Sequence, residues 1–376
     1  MKEIERIEKE MKNFILNLAR DCKKPEEFII AMEKMPMPEH MKAYFLMDVG
    51  GILFNSFPGL AIASWEQALR YLVQEKDKKG WCMCCAHLGD AFQRLGEFKT
   101  SLEIYKNSLQ VAKKMDDAEE TALAYSGMGI AYHSLGDLNK AVEFYKKSLK
   151  INRDTSNRPQ DAKCYMNLGA ACRKMGNLNK ALAYSEKALR IFKEINDRPW
   201  QSACYTNTCN VYPDLDNFNK ALAFHEKALK IDKDRGHKSG EYANYVNLGI
   251  DHAGLKNFNK ALVFFKKALK IAEETGDKLG KARCFGHMGN AYAGMGNIGL
   301  SVRYNKDALK IIKETGNKPA EAATYVNLGD AYIKFREFEK AIECYEKVQS
   351  INREIGNNAM EEKINAKLKD IYRRLQ

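Results

Sequence analysis

The chain has 376 residues, of which 45% are hydrophobic and 29% are charged, and its formal net charge is +12. Both fractions exclude wholesale disorder, and no apolar run approaches the ~18 residues of a membrane span. The charged first ten residues lack the apolar region of a secretory signal. The ten cysteines are therefore predicted to be reduced thiols of a cytoplasmic protein, and the positive charge favours acidic partners.

The first eighty residues are predicted to be helical but irregular. Residues 1–40 read as two amphipathic helices, over 1–19 and 25–35, that form an N-terminal cap. Residues 41–80 read as a degenerate helix pair, because Ala61, Ala68 and Leu69 hold the register of the segment that follows. The N-terminal helix could also occupy a binding groove, and the sequence leaves that open.

Residues 81–357 contain seven units of forty residues each. A Leu-Gly or Met-Gly pair recurs in six of the seven units, with an aromatic residue usually four positions before the glycine and a small residue twelve positions after it. The glycines are Gly89, Gly129, Gly169, Gly249, Gly289 and Gly329, and Cys209 holds the same register in the fourth unit. Apolar spacings of three and four predict two helices per unit, A and B. Residues 358–376 continue the pattern as a C-terminal capping helix.

This pattern resembles the tetratricopeptide repeat, and the forty-residue units are similar to those of the Pins/LGN polarity scaffolds, kinesin light chain and prokaryotic tetratricopeptide sensors. The family's unit is ~34 residues, so both helices are predicted to be longer here. The resemblance implies an all-α fold, a right-handed superhelical solenoid of antiparallel helix pairs with a long concave surface. It also implies that partner peptides lie along helix A.

The candidate peptide-binding residues follow from the helical wheel of helix A. With the aromatic residue as position 4, positions 2, 5, 6, 9, 12 and 13 fall opposite the packing side. The residues predicted there to bind peptide are Lys163, Asn167, Arg173, Lys174, Asn207, Asn210, Asn247, Arg283, His287, Asn290, Asn327 and Asp330. Asparagine amides can hold a peptide backbone, and Arg and Lys can pair with carboxylates. The predicted partner is a protein or peptide with an acidic or polar segment, although the position 6 asparagines can equally bond within the scaffold.

Two other classes of function stay open. A ligand-gated sensor would change its pitch on binding, and Pro213 predicts an early end of helix A and a change of pitch near residues 209–216. A row of helix B lysines, among them Lys147, Lys187, Lys227 and Lys267, could track nucleic-acid phosphates. The sequence shows no aromatic residues interleaved with these lysines and no nucleic-acid motif, which disfavours nucleic acid.

The sequence predicts no catalysis, no metal and no cofactor. The seven histidines include no metal-binding pair, and the cysteines lack a second ligand pair at zinc spacing. The expected protein is therefore an interaction scaffold that is not an enzyme and has no membrane partner. Self-association and the identity of the partner stay open.

Overall fold

The computed structural model describes residues 2–22, 24–54, 56–215, 217–355 and 358–375, and over these ranges the chain is all-α. It forms two compact units, Met1–Ile191 and Phe192–Gln376. Each unit is a series of antiparallel helix pairs in which consecutive helices pack against each other. Within the described ranges, no helix is long and apolar enough to cross a membrane.

The helices of the first unit are irregular in length up to α4 and regular from there. They are α1 (Lys2–Asp21), α2 (Pro25–Glu33), α3 (Glu39–Leu53), α4 (Pro58–Gln74), α5 (Lys78–Arg94), α6 (Phe98–Lys114), α7 (Ala118–Ser134), α8 (Leu138–Asp154), α9 (Arg158–Lys174) and the larger part of α10 (Leu178–Glu194). Ile15, Ala19 and Phe28 of α1 and α2 are buried in one apolar cluster with Leu46 and Trp65 of α3 and α4. The first two helices therefore cover the apolar face of the third and fourth.

The second unit continues the helix pairs to the end of the chain. Its helices are α11 (Arg198–Cys209), α12 (Phe218–Asp234), α13 (Lys238–Gly254), α14 (Phe258–Thr275), α15 (Lys278–Gly294), α16 (Ile298–Thr315), α17 (Lys318–Lys334), α18 (Phe338–Ile355) and α19 (Asn358–Leu375). Ile364, Leu368 and Ile371 of α19 are buried against α17 and α18. The predicted domain boundaries at residues 40, 80 and 357 stay predictions, and residue 357 is outside the described residues.

Helix ends recur at the forty-residue spacing because the same local chemistry recurs. The side chains of Asp137, Asn217 and Asn257 each accept a hydrogen bond from the backbone N–H three residues on, as helix N-caps do. Gly136 ends the preceding helix in the left-handed conformation, with φ of 87°. In the fifth unit, Lys256 takes this position with φ of 58°, a conformation that is costly for a residue with a Cβ.

The recurring glycine of helix A is a packing residue. A Cβ atom at Gly129 would lie 2.5 Å from the ring of Tyr145, and one at Gly249 would lie 2.3 Å from the ring of Phe265. Real Cβ atoms do not approach other heavy atoms so closely, so the helix B ring can lie against helix A only because the side chain is missing. This contact explains why the glycine and the helix B residue sixteen positions later share one period.

The predicted early end of helix A in the fourth unit is confirmed. Helix α11 has 12 residues and ends at Cys209, whereas α9 and α13 have 17 each. A short 3-10 turn, Pro213–Leu215, follows it. Proline has no backbone N–H and restricts the residue before it, so the helix cannot continue through this point. The predicted change of pitch stays a prediction, and Asp216 in that segment is outside the described residues.

Candidate functional site

Two adjoining cavities of the second unit bring five of the predicted residues together. The first, of about 380 Å³, lies between α15 and α17 and is lined by Arg283, His287, Asn290 and Asn327. The second, of about 410 Å³, shares Asn290 and Asn327 and continues past Asp330. Because the two cavities share lining residues, they form one continuous depression, here called the α15–α17 trough.

The trough exists because its floor lacks large side chains. A Cβ atom at Gly286 would meet only the Asn327 amide nitrogen, at 3.8 Å. The other described repeats carry a side chain at this register, such as Met166, Thr206 or Val246. Alanines line much of the remaining wall of the first cavity. Small residues on two neighbouring A helices therefore leave this volume open.

The positive charge of the first cavity comes from Arg283, because its neighbour His287 is neutral. Burial and the nearby Arg283 guanidinium lower the pKa of His287 to about 4. The His287 ring stacks on Phe265 with centroids 5.2 Å apart, and this contact fixes its plane. Arg283 is exposed, and no ion pair or hydrogen bond joins it to another residue that the structure describes. Its guanidinium is therefore available for a bidentate contact with a carboxylate.

Asn290 and Asn327 supply the uncharged polar groups of the trough. Asn290 is exposed and Asn327 is half-buried. Neither side chain is hydrogen-bonded to another residue of the described ranges. Each amide can donate and accept a hydrogen bond, which is what a peptide backbone requires.

Asp330 is held by the scaffold. Its carboxylate accepts hydrogen bonds from the Tyr345 hydroxyl and from Lys367 of α19. In the first full repeat, Asp90 accepts from the Tyr105 hydroxyl in the same register, at 2.6 Å. The carboxylate at this position therefore anchors the helix B tyrosine, and its negative charge is compensated by Lys367.

The other predicted residues lie outside the trough. The α9 residues of the first unit are Lys163, Asn167, Arg173 and Lys174. In the second unit, Asn207 is on α11, Asn210 caps the C-terminal end of α11, and Asn247 is on α13. Lys163, Arg173 and Asn210 each interact with other residues of the protein. Their assignment to peptide binding stays a prediction.

Sequence reasoning left some trough residues out of the candidate set. Lys367, Thr324 and Asn317 also line the two cavities. Lys367 lies forty residues after Asn327, so extending the repeat register into the last helix would have found it. Gly286 was the signal for the cavity itself, because it replaces a side chain that other repeats have.

The expectation that no aromatic residues accompany the helix B lysines was wrong. The ammonium group of Lys147 lies 4.9 Å from the ring centroid of Phe144, and Lys227 has the same distance to Phe224. Lys267 lies 5.2 Å from the ring of Phe264. Each lysine therefore packs on an aromatic ring of its own helix and gains a cation–π contact. Each phenylalanine precedes its lysine by three residues in the sequence, and the folded helix brings the two side chains into contact.

Comparison with family models gives the class of protein. The tetratricopeptide repeat model matches residues 82–154, 161–234, 241–314 and 285–354. These matches cover more than half of the chain, so the chain belongs to the tetratricopeptide repeat family. A comparison with curated protein sequences finds no match.

Three solved structures with the same fold are similar to this chain over most of its length. A signal transduction ATPase with a tetratricopeptide repeat sensor from Pyrococcus horikoshii has 18% identity and a TM-score of 0.62, covering 94% of this chain and 55% of that chain. The apo form of the quorum sensor NprR from B. thuringiensis has 16% identity and a TM-score of 0.62, covering 93% and 99%. A Rap protein complexed with Competence and Sporulation Factor has 13% identity and a TM-score of 0.56, covering 90% and 99%. At these identities the likeness is one of fold alone.

Proposed function

We propose that the protein is a non-enzymatic interaction scaffold that binds an acidic or polar peptide segment of a partner in the α15–α17 trough. The observation that carries this proposal is Arg283, an exposed guanidinium at the edge of a cavity that also offers the amides of Asn290 and Asn327. None of these three side chains is hydrogen-bonded or ion-paired to another residue in the described part of the chain. A cationic group without an acidic partner beside a concave polar surface is complementary to an anionic segment.

The trough supports binding of an extended peptide through two kinds of contact. Asn290 and Asn327 can hold the backbone of the ligand, since each amide offers both a donor and an acceptor. Arg283 can pair with a ligand carboxylate, and Lys334 lines the second cavity as a further cation. Cavities of about 380 and 410 Å³ are in the range that binds side chains and small ligands.

A pulldown with a paired set of variants tests the proposal. Arg283→Glu with Asn290→Ala should abolish capture of acidic partners, because it removes the cation and one amide from the trough. Arg303→Glu with Asn259→Ala makes the same chemical changes at exposed positions outside the trough and should capture the same partners as the wild type. Circular dichroism melting checks that both variants fold. Equal capture by the trough variant would refute the proposal.

A second candidate function is a ligand-gated sensor, in which peptide binding changes the arrangement of the repeats. The early end of α11 at Cys209 supports this candidate, and the fold shared with the quorum sensor NprR gives it context. Small-angle scattering with and without a captured peptide separates the two. A sensor should compact on ligand addition, whereas a static scaffold should keep its radius of gyration.

The proposal places the protein in the cytoplasm. All ten cysteines are free, and nine of them are buried. Burial raises the pKa of Cys84 to about 12 and holds that thiol in its unreactive form. Such cysteines suit a reducing compartment, where they act as small apolar packing residues.

A further inference from the structure

A second concave site lies in the first unit, where α4 ends, α5 begins and α6 ends. It has a volume of about 420 Å³, and its walls include Leu72, Val73, Trp81 and Val111. Val73 is 62% exposed, and Trp81 is half-buried. This cavity, here called the Val73–Trp81 pocket, is more apolar than the α15–α17 trough and is built from different helices.

The apolar character of this pocket is a departure from the repeat register. Forty-residue steps from Val73 lead to Lys113, Arg153, Lys193, Lys233, Glu273, Lys313 and Arg353, all of them charged. Steps from Trp81 lead to Thr121, Asp161, Gln201, Glu241, Lys281, Glu321 and Glu361, all of them polar. The junction between the degenerate helix pair and the first full repeat therefore carries two apolar residues where the later junctions carry polar ones.

The two polar positions form ion pairs between neighbouring helices in later repeats. Lys281 lies 2.8 Å from Glu273, Arg353 lies 3.3 Å from Glu361, and Lys313 lies 4.0 Å from Glu321. At residues 73 and 81 this ion pair is replaced by an aliphatic and an aromatic side chain that remain partly exposed. Trp81 packs partly on the apolar cluster of the first unit, whereas Val73 stays largely exposed, so apolar surface remains open to solvent at this point. Exposed apolar surface beside a concave site is typical of an interaction site.

The rim of the pocket is positively charged. Lys76, Lys78 and Lys114 line it, all three are exposed, and none forms an ion pair with an acidic residue that the structure describes. The single lining carboxylate, Asp77, is already used. It accepts hydrogen bonds from the Tyr44 hydroxyl at 2.6 Å and from the Gly80 backbone N–H at 2.8 Å, and these contacts lower its pKa.

We propose that the Val73–Trp81 pocket is a second docking site, which takes an apolar side chain of a partner segment whose flanking residues are acidic. Trp81 and Val73 contact the apolar side chain, and Lys76, Lys78 and Lys114 pair with the flanking carboxylates. Charge complementarity selects an acidic segment over a basic one, and the indole supplies a large apolar contact surface of the kind that concentrates binding energy. The site is independent of the α15–α17 trough.

A probe peptide tests the apolar half of this proposal. The probe has six residues, with Leu-Phe between two pairs of acidic residues, and carries a fluorescent label for anisotropy titration. The wild type should bind it at least tenfold more tightly than a control peptide with Ser-Ser at the centre. Val73→Lys with Trp81→Glu installs the ion pair that Lys313 and Glu321 make, so this variant keeps a contact that the fold already uses. It should lose at least tenfold in affinity for the probe.

Charge variants test the other half. Changing Lys76, Lys78 and Lys114 together to Gln should weaken probe binding about tenfold and flatten its salt dependence. Changing Lys106, Lys146 and Lys150 to Gln removes the same charge from exposed positions outside the pocket and should leave binding unchanged. The same titrations are repeated in the Arg283→Glu, Asn290→Ala background, whose trough no longer offers a site for the acidic probe. The same losses should appear in that background, which separates this site from the trough.

Three results would overturn the proposal. One is wild-type affinity for the probe in the Val73→Lys, Trp81→Glu variant. Another is equal binding of the Leu-Phe and Ser-Ser peptides. The third is a concentration-dependent dimer in analytical ultracentrifugation that the same double variant abolishes while the probe fails to bind, which would assign the pocket to a second copy of the chain.

Discussion

Helices α11–α13 and helices α15–α17 follow the same register in the second unit but place their polar residues differently. In α15–α17, the polar residues Arg283, Asn290 and Asn327 face an open cavity and have no scaffold partner among the described residues. In α11–α13, polar and ionisable residues are buried and bonded to one another. The same repeat therefore leaves polar groups open to a cavity in one region and uses them for internal packing in another.

The internal polar contacts begin where the packing glycine is missing. Cys209 replaces that glycine. His225 lies at the position of the repeat that Tyr145 occupies in α8 and Phe265 occupies in α14. The Nδ1 atom of His225 lies 2.8 Å from a carboxylate oxygen of Asp251, and both side chains are only 3% exposed. A ring that would need the glycine gap is thus replaced by a smaller ring that is tied to the next helix.

A second buried carboxylate links the same three helices. Asp232 of α12 accepts hydrogen bonds from Ser202 of α11 and from Asn244 of α13, each at 2.8 Å. His237 lies 3.1 Å from its other oxygen. Buried charge is costly unless it is fully hydrogen-bonded, so these contacts must form together. We infer that α11–α13 depends on a few specific polar contacts that join its three helices.

The largest effect that this comparison predicts is at Asp251. Asp251→Ala should lower the free energy of unfolding by about 3–5 kcal/mol, because it leaves the buried His225 ring without its partner. Urea denaturation followed by circular dichroism measures this change. The control is Asp234→Ala, which breaks an exposed 2.7 Å ion pair with Arg198 and should cost about 0–1 kcal/mol. Equal small losses in both variants would show that the buried pair does not stabilise α11–α13.

The pH dependence of stability should reveal the contrast at His287, which has no carboxylate partner among the described residues. Because the pKa of His287 is lowered to about 4 in the folded state, the unfolded chain takes up the proton first as the pH falls below 6.5. The folded state should therefore lose stability between pH 6.5 and 4, on the order of 2 kcal/mol after screening at the half-exposed site.

The variant His287→Gln isolates this group from the other titrating residues. The difference in unfolding free energy between wild type and variant should be constant above pH 7. As the pH falls to 4, the wild type should lose stability relative to the variant. Thermal melts in a series of buffers measure the difference. Parallel pH profiles would mean that the imidazole is not held neutral in the trough.

The repeat itself was predictable from the sequence, because a period of forty in Gly, aromatic and small residues reports contacts that each unit makes locally. The early end of α11 followed equally well from Pro213. The pairing of His225 with Asp251 did not follow, since the sequence marks Asp251 as unusual without saying which helix B residue reaches it. The trough did not follow either, because its shape depends on two helices together. The side chain is missing at Gly286 of α15, and α17 contributes small residues to the facing wall.

The smallest predicted effects distinguish two glycines of α15, of which Gly289 is a packing residue and Gly286 faces the cavity. A Cβ atom at Gly289 would lie 2.4 Å from the buried Asn305 side chain and 3.1 Å from the Ser301 carbonyl oxygen. Gly289→Ala should therefore destabilise the protein by about 1–3 kcal/mol, as overpacking does. Gly286→Ala adds the same methyl group beside open space and should stabilise the protein by about 0.5–1 kcal/mol, since glycine in a helix interior is unfavourable.

Urea denaturation measures the stability of the Gly286 variants, and a pulldown measures how much partner they capture. Gly286→Ala should raise stability without loss of capture, because its Cβ atom only reaches ordinary contact with Asn327. Gly286→Met should keep the fold and block the trough, since a long side chain there occupies the open volume. If Gly286→Met captured partners to the same extent as the wild type, the ligand would not bind in the trough. The missing side chain at residue 286 would then matter only for helix packing.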